Sequence, residues 1–171
     1  MKILIVNTFD IAGGAARAAY RLHQALLNSG VDSQMLVMSK ISDDDTVIES
    51  GIKIKKIQKV VSIIRHRLDA LPLKYYKNKT ETLFSPAWIP FSAITDAIEA
   101  IDPDVVHLHW ICGGMIRIED LSKIKKPIIW SLHDMWAFTG GCHYDGGCGK
   151  YKTGCGLCPV LHSKKINDLS K

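Results

Sequence analysis

With 171 residues, 47% hydrophobic and 23% charged, the chain can bury a core but is too short for two ordinary domains, which excludes a disordered polymer. No apolar run reaches the roughly 18 residues of a membrane-spanning helix, and residues 1–6 are broken by Asn7 too early for a secretory leader, so a cytoplasmic location is expected. The net charge of +5 is local: residues 52–79 hold nine Lys and Arg against Asp69 alone, and the remainder is net acidic.

Residues 2–6 are an apolar, β-branched run ending in Asn7-Thr8, the pattern of a strand covered on both faces. Beyond Gly13-Gly14, the residues Ala15, Ala18, Ala19, Leu22, Ala25 and Leu26 recur at helical spacing opposite Arg17, Arg21, Gln24 and Asn28, and Gly30 stops the helix. A strand follows at 32–38. Later come a helix near 91–101, a strand at 104–109, a short helix near 118–124 and a strand at 127–132. Strands alternating with helices predict an α/β fold built on a doubly wound parallel sheet.

Residues 39–90 interrupt this alternation with an irregular, basic insertion. Within it Ile57, Val60, Val61, Ile64, Leu68 and Leu71 mark one helix, flanked by Lys56, Lys59 and Arg65 and ended by Pro72. The basic stretch admits a solvated face, a nucleic-acid patch, or a surface facing anionic lipid or a pyrophosphate-bearing acceptor. A net acidic remainder and the lack of a nucleic-acid motif argue against nucleic acid. Residues 140–159 carry seven of the thirteen glycines and four of the five cysteines, which excludes a regular helix or strand and implies support other than a core. Residues 164–171 have the pattern of an unfinished helix.

Ligands of an open parallel sheet bind beyond the carboxyl ends of its strands. Three such ends carry chemistry. Gly13 and Gly14 let the backbone approach a ligand while the next helix offers free N–H groups to a phosphate, although the same glycines would serve a tight turn. A dinucleotide site is disfavoured, because no Gly-x-Gly-x-x-Gly is present and the second strand ends Met38-Ser39-Lys40 without an acidic residue for a ribose. His107 and His109, two apart on one strand, share a face, as metal ligands or as a core histidine beside a pocket-lining one. His133-Asp134, after the last strand, could address a sugar hydroxyl or charge near a phosphate, or merely cap a turn.

Cys142, Cys148, Cys155 and Cys158 fall within seventeen residues of a chain with no export signal, where disulfides are disfavoured. The x2 spacing of the last pair suits a tetrahedral ion, so structural zinc is expected, with disulfides or free thiols as alternatives. Four thiolates would leave no open position for water, so this metal would support folding and not catalysis.

Three stretches together resemble a known family: Met1-Lys2-Ile3-Leu4-Ile5-Val6-Asn7 with Gly13-Gly14-Ala15-Ala16-Arg17-Ala18-Ala19, then Pro103-Asp104-Val105-Val106-His107-Leu108-His109-Trp110, then residues 130–144 from Trp130-Ser131-Leu132-His133-Asp134 through Gly140-Gly141-Cys142-His143-Tyr144. They are similar to the amino-terminal domain of family four glycosyltransferases, nearest to the exopolysaccharide and colanic-acid type. The resemblance implies one Rossmann-like half of a GT-B fold over residues 1–171, and retaining transfer of a sugar from a nucleotide-diphosphate donor to a glycan or lipid-linked acceptor. It implies that Gly13, Gly14 and Arg17 border the donor, that His133 contacts the donor sugar with Asp134 supporting it, and that His109 lines the cleft. No catalytic metal is implied. The main donor grip would lie in a second, carboxy-terminal domain absent from these residues, so the 171-residue chain alone is expected to be inactive. Two rivals differ in class: a non-catalytic, zinc-stabilised binding module, and a metal-dependent hydrolase using His107, His109, His133 and Asp134.

Overall fold

The structure, a computed structural model, describes residues 1–51, 55–90 and 92–171, leaving out the side chains of residues 55–59. Among the described residues five strands form one sheet: β1 (Lys2–Phe9), β2 (Asp32–Ser39), β3 (Val47–Glu49), β4 (Val105–Leu108) and β5 (Ile128–Trp130). All pairs are parallel and the spatial order is β3-β2-β1-β4-β5. Because strand side chains alternate between faces, β1 sends Ile3 and Ile5 one way and Leu4 and Val6 the other.

Helix α1 (Gly14–Asn28) covers the first face, packing Ala19, Tyr20, Leu22 and Leu26 against Ile5, Met35, Val37 and Val47. Helix α3 (Ile94–Ile101) covers the second, setting Ile94 and Ile98 among Leu4, Val6, Leu36, Val106 and Leu108. The sheet is therefore doubly wound, as predicted. Burying each of these large side chains contributes about 1.5–3 kcal/mol, so the two-sided apolar pattern of β1 and β2 dominates the core. Gly30, at φ +76°, ends α1: its N–H donates to Leu27 and that of Val31 to Leu26, a closure needing the left-handed conformation that glycine adopts freely.

Helix α2 (Lys55–Asp69) lies in the basic insertion, where Arg65 Nε donates to the Gly114 carbonyl at 2.8 Å. The start of the basic segment, residues 52–54, and residue 91, where the third helix was expected to begin, lie outside the described residues. Strand β3, only three residues long, carries too few positions for a periodicity signal. The helix expected near 118–124 is a 3-10 helix, Ile118–Lys123.

Two expectations are corrected. Residues 140–159 do have a core of their own: Cys142 and Cys158 are buried with Phe84, Val160 and Leu161, backed by Leu73, Tyr76 and Leu169. Residues 164–171 form turns instead of a helix. Asp168 accepts from the Ser170 N–H at 2.9 Å and from the Cys158 N–H at 2.8 Å, and this local competition for backbone donors defeats the helix.

Candidate functional site

The chain leaves β1 on one side to build β2 and β3, then returns to the other side of β1 for β4 and β5, placing a topological switch point beyond the ends of β1 and β4. Buried Asn7 and Thr8 join these ends. The Thr8 N–H donates to the Trp110 carbonyl at 2.8 Å, the Trp110 N–H donates to Asn7 Oδ1 at 2.8 Å, and Thr8 Oγ1 donates to the Cys112 carbonyl at 2.9 Å.

Asp10 fixes the neighbouring loops from a wholly buried position, accepting the N–H groups of Ile11, Ile41 and Ser42 at 2.7–3.0 Å. Burial pushes its pKa up, but the donors from Ser42, Ile41 and Ile11 outweigh burial and hold the carboxyl below its ordinary value. Gly13, at φ +95°, turns the chain into α1. No side chain caps this helix, and helix geometry leaves the N–H groups of Gly14, Ala15 and Ala16 without intrahelical acceptors.

These elements surround an open cleft of about 530 Å³, lined by Asn7, Phe9, residues 12–16, Trp110, His133, Asp134 and Tyr144. Its size suits a small-molecule ligand, for which roughly 300–1,000 Å³ is usual. Gly13, Gly14, His133 and Asp134 thus come together across it. Arg17 does not: it is exposed on α1 and is not among the lining residues. His109 is also displaced from the expected position, 5% exposed and behind His133, with its Nδ1 2.9 Å from His133 Nε2. Burial first, then the nearby imidazoles of His107 and His133, pushes its pKa down to about 4. The His107 and His109 rings are 4.5 Å apart, and His107 Nε2 bonds Ser131 Oγ at 2.8 Å.

Asp134 is braced from beneath. Its Oδ1 accepts the Trp136 N–H at 2.9 Å and its Oδ2 lies 2.5 Å from His143 Nδ1, while His143 Nε2 bonds Ser85 Oγ at 2.9 Å. This connectivity matches a Ser–His–Asp nucleophilic triad. Ser85 and His143 are both buried and neither lines the cleft, so the chain of bonds positions Asp134 and offers no accessible nucleophile. Sequence reasoning passed over Ser85, His143 and Asp10 as functional supports. His143 had one available signal, its place in the 130–144 stretch; Ser85 and Asp10 had none, because their partners are brought to them only by the fold.

None of Cys142, Cys148, Cys155 and Cys158 lines the cleft. Cys142 and Cys158 are buried, Cys148 and Cys155 half-buried, and all are free thiols. Burial first raises the Cys142 pKa, with Cys158 and Cys148 near enough to add to it. Among the described residues no three His, Cys, Asp or Glu side chains are gathered to hold a metal ion. His107, His109, His133 and Asp134 are likewise not gathered as such a group among the described residues: His107 Nε2 bonds Ser131, and His109 Nδ1 faces His133 Nε2.

Residues 12–152, most of the chain and all of the cleft lining except Asn7 and Phe9, match the family model described as Glycosyltransferase Family 4. The chain belongs to glycosyltransferase family 4. It is also 29% identical over 175 residues to a protein of Escherichia coli (strain K12) that carries the name colanic acid biosynthesis glycosyl transferase WcaC. That match takes in 95% of this chain and spans 40% of the relative's length. No solved structure matches the chain. The five-stranded parallel sheet is consistent with one Rossmann-like half of the GT-B fold expected of a family four member. Among the described residues no helix is long and apolar enough to cross a membrane.

Proposed function

We propose that this chain is the amino-terminal, acceptor-side part of a retaining glycosyltransferase that moves a sugar from a nucleotide-diphosphate donor to a glycan or lipid-linked acceptor in cell-surface polysaccharide synthesis. One observation carries the reading: an uncapped helix start and an exposed imidazole, His133, face the same cleft at the switch point. The partial positive charge at the start of α1 suits the diphosphate, on which negative charge builds as the bond to the sugar breaks. His133 would contact the transferred sugar, and Asp134, held by His143 and Trp136, would keep the loop in place. Catalysis of this kind is electrostatic and orientational. A second domain would close the cleft and hold most of the donor, so the chain by itself would turn over little or nothing.

For the acceptor, a second cavity of about 190 Å³ adjoins the cleft through Phe9 and is lined by Met38, Ile63, His66 and Arg67. On the same helix Val60, Ile63 and Ile64 are exposed, and Arg67 lies beside them. This combination supports a cytoplasmic enzyme working at the inner membrane face on a lipid-linked acceptor.

The deciding experiment uses the protein from the complete coding sequence with a panel of uridine and guanosine diphosphate hexoses and lipid-linked acceptors. Transfer by the wild type, reduced roughly 100-fold or more by His133→Ala, is expected. Unchanged transfer in that variant would defeat the assignment of His133, and absence of transfer with every donor would favour a binding module.

A further inference from the structure

His109 carries one proton on two nitrogens, and only one of those nitrogens has a partner. Its Nδ1 lies 2.9 Å from His133 Nε2, whereas its Nε2 is buried with no hydrogen-bond partner among the described residues. Burial among His107 and His133 keeps the ring neutral at pH 7. If the proton sat on Nε2, a buried N–H would have no acceptor, a situation that folded proteins rarely tolerate. A bare lone pair there is the milder loss. The proton therefore belongs on Nδ1, inside the bond to His133.

The consequence passes to the exposed ring. Accepting at Nε2, a neutral His133 must carry its own proton on Nδ1, which has no partner among the described residues. Free imidazole side chains in water favour the opposite tautomer, so the buried ring reverses an intrinsic preference. Neighbouring groups hold His109 still: the His107 ring packs against it at 4.5 Å and is itself tied to Ser131, and the His109 N–H donates to the Val6 carbonyl at 2.9 Å.

We propose that His109 is a positioning residue that sets the tautomer of His133, so that His133 presents Nδ1–H as a hydrogen-bond donor to an oxygen of the ligand in the cleft. The group recognised is an acceptor oxygen, a sugar hydroxyl or a phosphoryl oxygen. His133 in this state is not a base through Nε2, because that lone pair is already occupied. The inference rests on the transferase reading for the identity of the ligand, but the tautomers themselves do not.

The test is two-bond proton–nitrogen correlation spectroscopy of the 171-residue chain labelled with ¹⁵N-histidine, at pH 8.5, where ordinary imidazoles are neutral. Protonated Nδ1 and bare Nε2 are expected in both His109 and His133; an Nε2–H on either ring overturns the proposal. Replacing His109 with Leu is expected to return His133 towards the Nε2–H form, whereas His109→Asn, whose amide nitrogen stands near the place of Nδ1, retains it. A His133 tautomer indifferent to both substitutions also overturns it. If the Leu variant fails to fold, the wild-type spectrum alone decides. In the protein from the complete coding sequence, His109→Leu is expected to lower kcat about 10–100-fold with little change in KM, and His109→Asn to recover most of it; loss without recovery by Asn counts against positioning. Failure of every donor to react would sink the transferase reading and leave the spectroscopic result standing.

Discussion

His143 Nδ1 lies 2.5 Å from Asp134 Oδ2, joining the cysteine-rich segment to the loop that carries the cleft histidine. The buried side of this contact is completed by Ser85, and backbone bonds from the His143 N–H to Leu83 and from the Met135 N–H to the His143 carbonyl make it a rigid corner.

Removing His143 leaves the buried Ser85 Oγ and the Asp134 Oδ2 without their partner, and a buried polar group left unpaired costs about 1–3 kcal/mol. His143→Leu is expected to lower the free energy of unfolding by this amount in urea denaturation. In a double-mutant cycle with Asp134→Asn, the two changes should be coupled by about 0.5–3 kcal/mol, the range for residues in contact. Additive effects would mean that the contact contributes nothing.

Stability should also depend on pH. The pKa of His109 is depressed to about 4, by burial first and then by His107 and His133, and burial depresses that of His23 too, where Ser33 and Thr46 take both ring nitrogens. The unfolded chain therefore binds these protons before the folded one does. Stability is fully present above roughly pH 6.5, the unfolded value, and falls as the pH drops towards about 4. At about 1.4 kcal/mol per tenfold change in proton affinity, His109 alone contributes a loss of up to about 3 kcal/mol. Denaturation midpoints measured at steps between pH 7.5 and 4 check this. A flat profile would place both rings in contact with water.

The glycine pair separates two roles. Gly13 takes φ +95°, a conformation that a side chain strains, whereas Gly14 has an ordinary φ and open space where a Cβ would stand. Gly13→Ala should destabilise the chain by about 1 kcal/mol, and Gly14→Ala should leave it unchanged or up to about 1 kcal/mol more stable. Weaker donor binding by Gly14→Ala in the complete protein, with stability intact, would show that the second glycine serves a ligand and not the turn.

Metal removal tests the cysteine segment. With the four-thiolate zinc site that the spacing of Cys142, Cys148, Cys155 and Cys158 leads one to expect, the untreated protein carries one zinc per chain and chelation lowers the thermal midpoint by about ten degrees or more. An unchanged midpoint and no bound zinc would leave the segment to the apolar cluster of Cys142, Cys158, Phe84, Val160 and Leu161.

Much of the architecture was legible. The two-faced apolar runs around Ile5 and Leu36 and the helical spacing from Ala15 to Leu26 record burial directly, and burial is what sequence periodicity reports. The end of β5 was legible as a place for His133, since loops after parallel strands collect ligands. What escaped depends on contacts between distant positions. His109 reads as lining the cleft until His133 is laid over it, and Asp168 reads as helical until the Cys158 N–H is brought within reach. Nor could any linear pattern reveal that Phe84 and Leu161 would cover the cysteine segment.

The seam between Asn7-Thr8 and Trp110 has a consequence for how ligands can be found. It joins positions about one hundred residues apart, so the floor of the cleft exists only in a chain that has closed most of its sheet. A partly folded chain has no cleft to offer, and any compound that occupies it must bind the folded form alone. Occupancy then adds directly to global stability, by about 2.7 kcal/mol at a ligand concentration of 100 Kd. A thermal-shift screen of nucleotides and sugars on this chain therefore detects cleft ligands before any reaction has been observed.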